Sequence, residues 1–285
     1  ERRPITSRKP LIDPFTPAAE SLAPSGYPNA PDQLPRGVIT AGRYRARFAS
    51  THSDLDAILK LRFEVFNLEL GEGLASSYET GRDEDVFDRH CHHLLVEDEK
   101  NGGKVVGTYR MQTSEMAARS GFYSATEFDF STLPPEVLAD GVEVGRACIS
   151  REHRNRMILF LLWKGLARYL STNRKRFLFG CCSLTSQDPC DGARALRHLT
   201  AEGHLHPTVL VQPRPGFECA CPGALPEEPE PFEIPMLFKT YLRYGALACG
   251  PAALDREFGT IDFFVLFDLA TLDADTYRVF FDEQR

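Results

Sequence analysis

Glu143 and Arg146 stand three residues apart at the head of a strand-like stretch, and Arg151-Glu152-His153-Arg154-Asn155-Arg156 follows as a turn into an apolar helical run. A strand end feeding a helix N-terminus offers free backbone N–H groups and a positive dipole to a phosphate. Three arginines add charge-assisted hydrogen bonds. A solvated basic turn has the same local sequence, so both readings stand. Asp85 and Asp88, also three apart, could draw in a cation; a solvated acidic loop, or partners for Arg62 and Arg110, is the alternative. His93 opens an apolar strand and could relay a proton, although such a histidine is more often satisfied by backbone groups.

These side chains need elements to hold them. Tyr44, Ala46 and Phe48 alternate with Arg43, Arg45 and Arg47 as a half-wet strand. Ser53 with Asp56 forms a capping box ahead of a helix whose apolar face is Leu55, Ile58, Leu59, Phe63 and Phe66. Past the acids Glu79, Asp83, Glu84, Asp85 and Asp88, a hairpin of His93–Val96 and Lys104–Met111 turns at Asn101-Gly102-Gly103. Val142–Ser150, a helix over Met157–Leu170 and Phe177–Leu184 form a strand, helix, strand unit that must pair in parallel. A helix near Asp191–Glu202, a proline-rich loop over Pro222–Pro235, a helix over Phe238–Ala248 and a buried strand over Ile261–Leu269 complete the pattern. The class is α/β, a mixed sheet flanked by helices on both faces, in one domain over residues 41–285. Residues 1 to 40 hold eight of the twenty prolines and read as an extended leader, in which Arg2, Arg3, Arg8 and Lys9 could form a basic foot for anionic lipid.

Composition removes whole classes of function. The longest apolar run, Met157–Trp163, has seven residues, where a bilayer span needs about 20. A net charge of −7 argues against a protein that grips nucleic acid, while 26 arginines among 33 basic residues point to an anionic ligand or partner. The eight cysteines at 91, 148, 181, 182, 190, 219, 221 and 249 include no paired Cys-x-x-Cys knuckles and read as reduced thiols of a cytoplasmic protein. His90-Cys91-His92-His93 is no metal site on an extended strand, because neighbouring side chains alternate faces. Ile158, Leu159, Leu162, Trp163 and Leu166 read as core first and as the wall of an acyl tunnel second. No Gly-x-Ser-x-Gly elbow supports a hydrolase.

Four motifs in order resemble a family. Arg62-Phe63-Glu64-Val65-Phe66, Asp85-x-x-Asp88, Val106-Gly107-Thr108-Tyr109-Arg110-Met111 and Glu143-Val144-Gly145-Arg146 are similar to acyltransferases of the N-acetyltransferase-like (GNAT) fold. They are shared with acyl-homoserine-lactone synthases. Leu237–Ala246, Gly250-Pro251-Ala252 and Phe258-Gly259-Thr260-Ile261-Asp262-Phe263 resemble the ornithine-lipid, hemolysin-like subgroup and not the lactone synthases. The resemblance spans residues 44 to 269 and implies transfer of a long, 3-hydroxylated fatty acyl chain to the α-amine of an amino acid, ornithine first. It implies acyl carrier protein as donor and no bound cofactor beyond the acyl-phosphopantetheine thioester; because the product is a lipid, this cytoplasmic protein could also make peripheral contact with the inner face of the membrane. One departure supports the carrier: members of this fold cradle a pyrophosphate on a glycine-bearing loop, and Arg154-Asn155-Arg156 has no glycine. Competing readings are an autoinducer synthase and a non-enzymatic hemolysin-like protein.

Thioester aminolysis dictates the expected roles. An α-amine with a pKa of about 8 must lose a proton before attack. Glu143 is the first choice of base, with Arg146 and His93 beside it; a structural ion pair with Arg146 or Arg110 is Glu143's alternative role. Backbone N–H groups of Ala147 and Cys148 would meet the oxyanion, about 3 kcal/mol for one such donor, and Cys148 is packing and not nucleophile. Ala147, Cys148, Arg151, Arg154, Asn155 and Arg156 would hold the donor, and Arg62, Phe66, Asp85, Asp88 and Arg110 the acceptor.

Overall fold

The computed structural model describes residues 26–223, 225 and 232–282. Arg2, Arg3, Arg8, Lys9 and much of the Pro222–Pro235 loop lie outside these residues. The strands are β1 (Ile39–Ala41), β2 (Tyr44–Phe48), β3 (His92–Asp98), β4 (Lys104–Thr113), β5 (Phe128–Asp129), β6 (Gly141–Ile149), β7 (Phe177–Leu184), β8 (Gln212–Pro213), β9 (Leu247–Ala248), β10 (Ala253–Asp255) and β11 (Thr260–Asp268). The helices are α1 (His52–Phe63), α2 (Ser77–Thr80), α3 (Ser114–Ser120), α4 (Ser124–Glu127), α5 (Pro135–Ala139), α6 (Arg156–Asn173), α7 (Pro189–Ala201), α8 (Met236–Arg243) and α9 (Ala274–Phe281).

Local chemistry sets the helix starts. Thr51, not Ser53, caps α1: its side chain accepts from the Asp54 N–H while Asp54 reaches back to the cap. Asp54 also takes both terminal nitrogens of Arg47, which fixes the cap where the chain leaves β2. The helix then widens into a π turn over Glu64–Leu70. Asn155 caps α6 by accepting from the N–H groups of Met157 and Ile158. The helix expected over Phe238–Ala248 ends at Arg243, and Leu247–Ala248 pairs instead with β11.

The main sheet runs β1-β2-β3-β4-β6-β7-β11-β10, with β9 also on β11; β5 and β8 form a separate ladder. It is mixed, because β6 and β7, joined by α6, pair in parallel while their neighbours are antiparallel. Helix α6 covers one face through Ile158, Leu161, Leu162 and Leu166, and α1 covers the other through Ile58 and Leu61. Strand β11 is buried on both sides: Phe263, Val265 and Phe267 join the α6 core, while Phe264 and Leu266 join a phenylalanine cluster with Phe128, Phe130 and Phe179.

Two expectations need correction. Residues 26–40, placed in the leader, are tied to the domain, with β1 paired to β2 and the Asn29 carbonyl accepting from His92 Nε2 at 2.6 Å. The cysteines are not all thiols either: Cys190, in the first turn of α7, is bonded to Cys221, with a Cα separation of 4.5 Å. Residues 31 apart in sequence meet because the chain returns to the start of α7 after β8, which spacing along the chain does not reveal.

Candidate active site

The sheet opens at its centre. Strands β6 and β7 pair only over Gly141–Glu143 and Phe177–Phe179. A Cβ on Gly180 would lie 2.1 Å from the Val144 carbonyl oxygen, so only glycine permits the last close approach before the strands part. On its other edge β6 slips register against β4 between Thr108 and Arg110, and Arg146 adopts a left-handed φ of 47° in that bulge. The splay and the bulge together open a cavity of about 830 Å³.

Chemistry changes along this cavity. One end is apolar, lined by Leu159, Leu162, Trp163, Leu178, Phe238 and Phe267. The other carries Glu143, Arg146, Tyr123, Ser124 and Arg110. Glu143 is 6% exposed; its carboxylate accepts from the backbone N–H of Tyr123 at 2.8 Å and of Ser124 at 2.6 Å. Burial pushes its pKa up against the pull of these donors. It is not ion-paired to Arg146 or Arg110, whose guanidinium groups turn to aspartates. Burial likewise pushes the Cys148 thiol up to about 12, which leaves it protonated and unsuited to attack.

The aspartates expected to hold the acceptor are spent inside the protein. Arg62, fully buried, donates to Asp83 at 2.6 Å and to Asp88 at 2.6 and 3.2 Å. Arg110 donates to Asp85 at 2.6 Å and to Asp88 at 3.1 Å, and Arg146 donates to Asp85 at 3.1 Å. Three guanidinium groups thus meet three carboxylates in a dry network, and Arg62, Asp85 and Asp88 do not line the cavity. His93 is also corrected: its Nε2 is 3.2 Å from Asp88 and its Nδ1 is 3.0 Å from the Tyr27 hydroxyl, so it sits behind the network, away from the cavity.

At the other rim Ala147, Cys148, Arg154, Asn155 and Arg156 line the cavity, and Arg151 does not. Asn155 spends its side-chain oxygen on the first α6 N–H groups, which removes much of the bare helix end expected for a phosphate. Arg154 pairs with Glu69 on the π turn at 2.7 Å. Arg151, Arg154 and Arg156 are all exposed, a basic corner open to water. Phe66 and Arg110 both line the cavity.

Several site residues escaped sequence reading. Tyr123 and Ser124 belong to no motif; the turn between α3 and α4 delivers them to Glu143. Tyr123 also stacks under Arg146, with the guanidinium 4.7 Å from the ring centre, while Phe258 takes it from another side at 4.2 Å. Asp83 was visible only as one acid among five. Asp262, within a recognised C-terminal motif, lines the cavity floor.

A strained strand splayed from its parallel neighbour, with a carboxylate at the junction and an apolar channel beyond, belongs to a known class: the sequence pattern of the Acetyltransferase (GNAT) domain matches residues 61–164. The protein is an N-acyltransferase of this fold. Over 247 residues it is 31% identical to the L-ornithine N(alpha)-acyltransferase of Brucella abortus (strain 2308), covering 82% of this chain and 87% of that one. Over 242 residues it is 32% identical to that of Agrobacterium fabrum (strain C58 / ATCC 33970), covering 81% and 83%. The chain belongs to the L-ornithine N(alpha)-acyltransferase family. Among solved structures, it is similar to the AHL synthase LasI, with a TM-score of 0.45 and 13% identity over 86% of this chain and 100% of that chain.

Proposed function

We propose that the protein moves a long-chain, 3-hydroxylated fatty acyl group from acyl carrier protein to the α-amine of L-ornithine. The observation that carries this reading is the cavity itself, polar at Glu143 and apolar along α6 and α8. Glu143 takes a proton from the α-ammonium, directly or through water. The neutral amine attacks the thioester carbon; the C–N bond forms, the C–S bond breaks, and the second amine proton goes to the departing thiolate. Backbone N–H groups of Ala147 and Cys148, at the bulge, meet the oxyanion. Arg146 lines the same end of the cavity, its charge balanced by Asp83 and Asp85.

The exposed Arg151, Arg154 and Arg156 support an acidic carrier protein as donor in place of coenzyme A. Among the described residues no helix is long and apolar enough to cross a membrane. Leu70 and Met236 line the cavity while 37% and 73% exposed, an apolar mouth that supports release of a lipid product to the inner face of a membrane. Mass spectrometry of lipids from a host expressing the protein tests the reading. A new N-acyl ornithine is expected; an acylated lactone or no acylated amine overturns it.

A further inference from the structure

Three carboxylates outside the Glu143 machinery converge below the cavity. Glu127 closes α4, Asp255 ends β10 and Asp262 lies on β11; each offers an oxygen, all within 4.8 Å of one another. All three are buried, Glu127 at 0% exposure. Asp262 accepts from Thr260 at 2.8 Å and from Ser183. Asp255 accepts from the N–H groups of Glu257 and Phe258, both at 2.9 Å, and from Tyr123 at 3.3 Å. Glu127 Oε1 has no hydrogen-bond partner among the described residues. Arg146 is the nearby cation, and its guanidinium is committed to Asp83 and Asp85. Three buried acids with an unfilled acceptor are short of a positive charge, and Asp262 opens the group to the cavity.

We propose that Glu127, Asp255 and Asp262 receive the side-chain ammonium of the amino acid acceptor, so that the enzyme selects a diamino acid. The inference rests on the reading of the cavity as the site of amino acid N-acylation. An alkylammonium carries three N–H donors, and three acceptors about 2.8 Å from one nitrogen stand about 4.6 Å apart. One short helix links this group to the reacting end of the cavity. Glu143 is bonded to Ser124 at the start of α4 and Glu127 ends it, about 4.5 Å further along the axis; the two amines of ornithine are about 6 Å apart across four carbons at bond lengths of about 1.5 Å. Burial, then the neighbouring carboxylates, pushes Glu127 well above the usual carboxylate range, and burial pushes Asp262 up to about 6. An arriving ammonium favours their ionised forms and so expels protons.

The experiment compares L-ornithine with L-norvaline, the same carbon skeleton without the side-chain amine, in wild type, Glu127→Gln and Asp262→Asn. Wild type is expected to prefer ornithine at least 100-fold in kcat/KM. Each substitution should cut that preference at least tenfold, mainly by raising KM for ornithine. Calorimetry in buffers of different ionisation enthalpy should show proton release when ornithine binds wild type. A wild-type ratio near one, an unchanged ratio in folded variants, or a stoichiometric divalent ion in the purified protein overturns the proposal. Should both variants fail to fold, the wild-type ratio and proton release decide it. Equal acylation of both amines sinks this inference alone, whereas acylation of neither sinks the functional reading with it.

Discussion

Glu143 is the residue on which rate should depend most. It is buried, held by two backbone donors and not ion-paired to Arg110 or Arg146, and it lines the cavity. Glu143→Gln keeps the shape but sets an amide NH2 against one of the two backbone N–H donors, so it is expected to lower kcat by about 10²–10⁴-fold and the melting temperature as well; steady-state kinetics and thermal melts check both. The pH dependence has a definite sign. As the proposed base, Glu143 works only when ionised, and burial raises its pKa, so activity is expected to be retained above that raised value and lost as pH falls through it. The acid limb of kcat/KM should therefore lie above the value of about 4.3 for an ordinary glutamate. Arg62 plays the opposite part, far from the chemistry but locked to Asp83 and Asp88. Its replacement by alanine strands buried carboxylates and should destabilise the fold by about 3–5 kcal/mol, measurable by chemical denaturation.

At the scale of elements, what matters is how β6 leaves β7 and what α6 and α8 enclose. Gly180 marks the point of departure, and the Cβ of Gly180→Ala would press on the Val144 carbonyl. The expected cost is about 1–3 kcal/mol, seen as a lowered denaturation midpoint together with reduced activity. Leu159 sits half-buried on the cavity wall. Leu159→Trp should shorten the preferred acyl chain, since each methylene that loses its place forfeits about 0.8 kcal/mol; rates with a ladder of acyl chain lengths read the shift. The strand, helix, strand core of β6, α6 and β7 was legible in sequence because its residues are apolar at regular spacing. Helix α8 was overrun into β9, since Leu247 and Ala248 continue an apolar pattern that only pairing to β11 shows to be strand.

For the whole molecule, the proposed carrier-protein donor makes charge placement the feature to test. The chain is net acidic, −7, yet Arg151, Arg154 and Arg156 gather exposed beside the apolar cavity. Replacing all three by alanine should raise KM for acyl carrier protein at least tenfold and flatten its dependence on ionic strength, as expected when electrostatic steering is removed. Kinetics with matched carrier-protein and coenzyme A donors at several salt concentrations would show it; equal use of both donors by wild type contradicts the carrier assignment.

Sequence by itself determined the mixed sheet, the Glu143 and Arg146 strand and the basic turn before α6, because periodicity and short-range spacing are properties of neighbours along the chain. Tertiary structure alone decided which charges stay available. Asp85 and Asp88 read equally as a ligand pair or as partners for Arg62 and Arg110, and the structure shows the partners, with Arg146 added. Glu127, Asp255 and Asp262 carry no joint signal over 136 positions, yet they converge. A buried charge is defined by its nearest counter-charge and its distance from water, and both are set by residues remote in sequence.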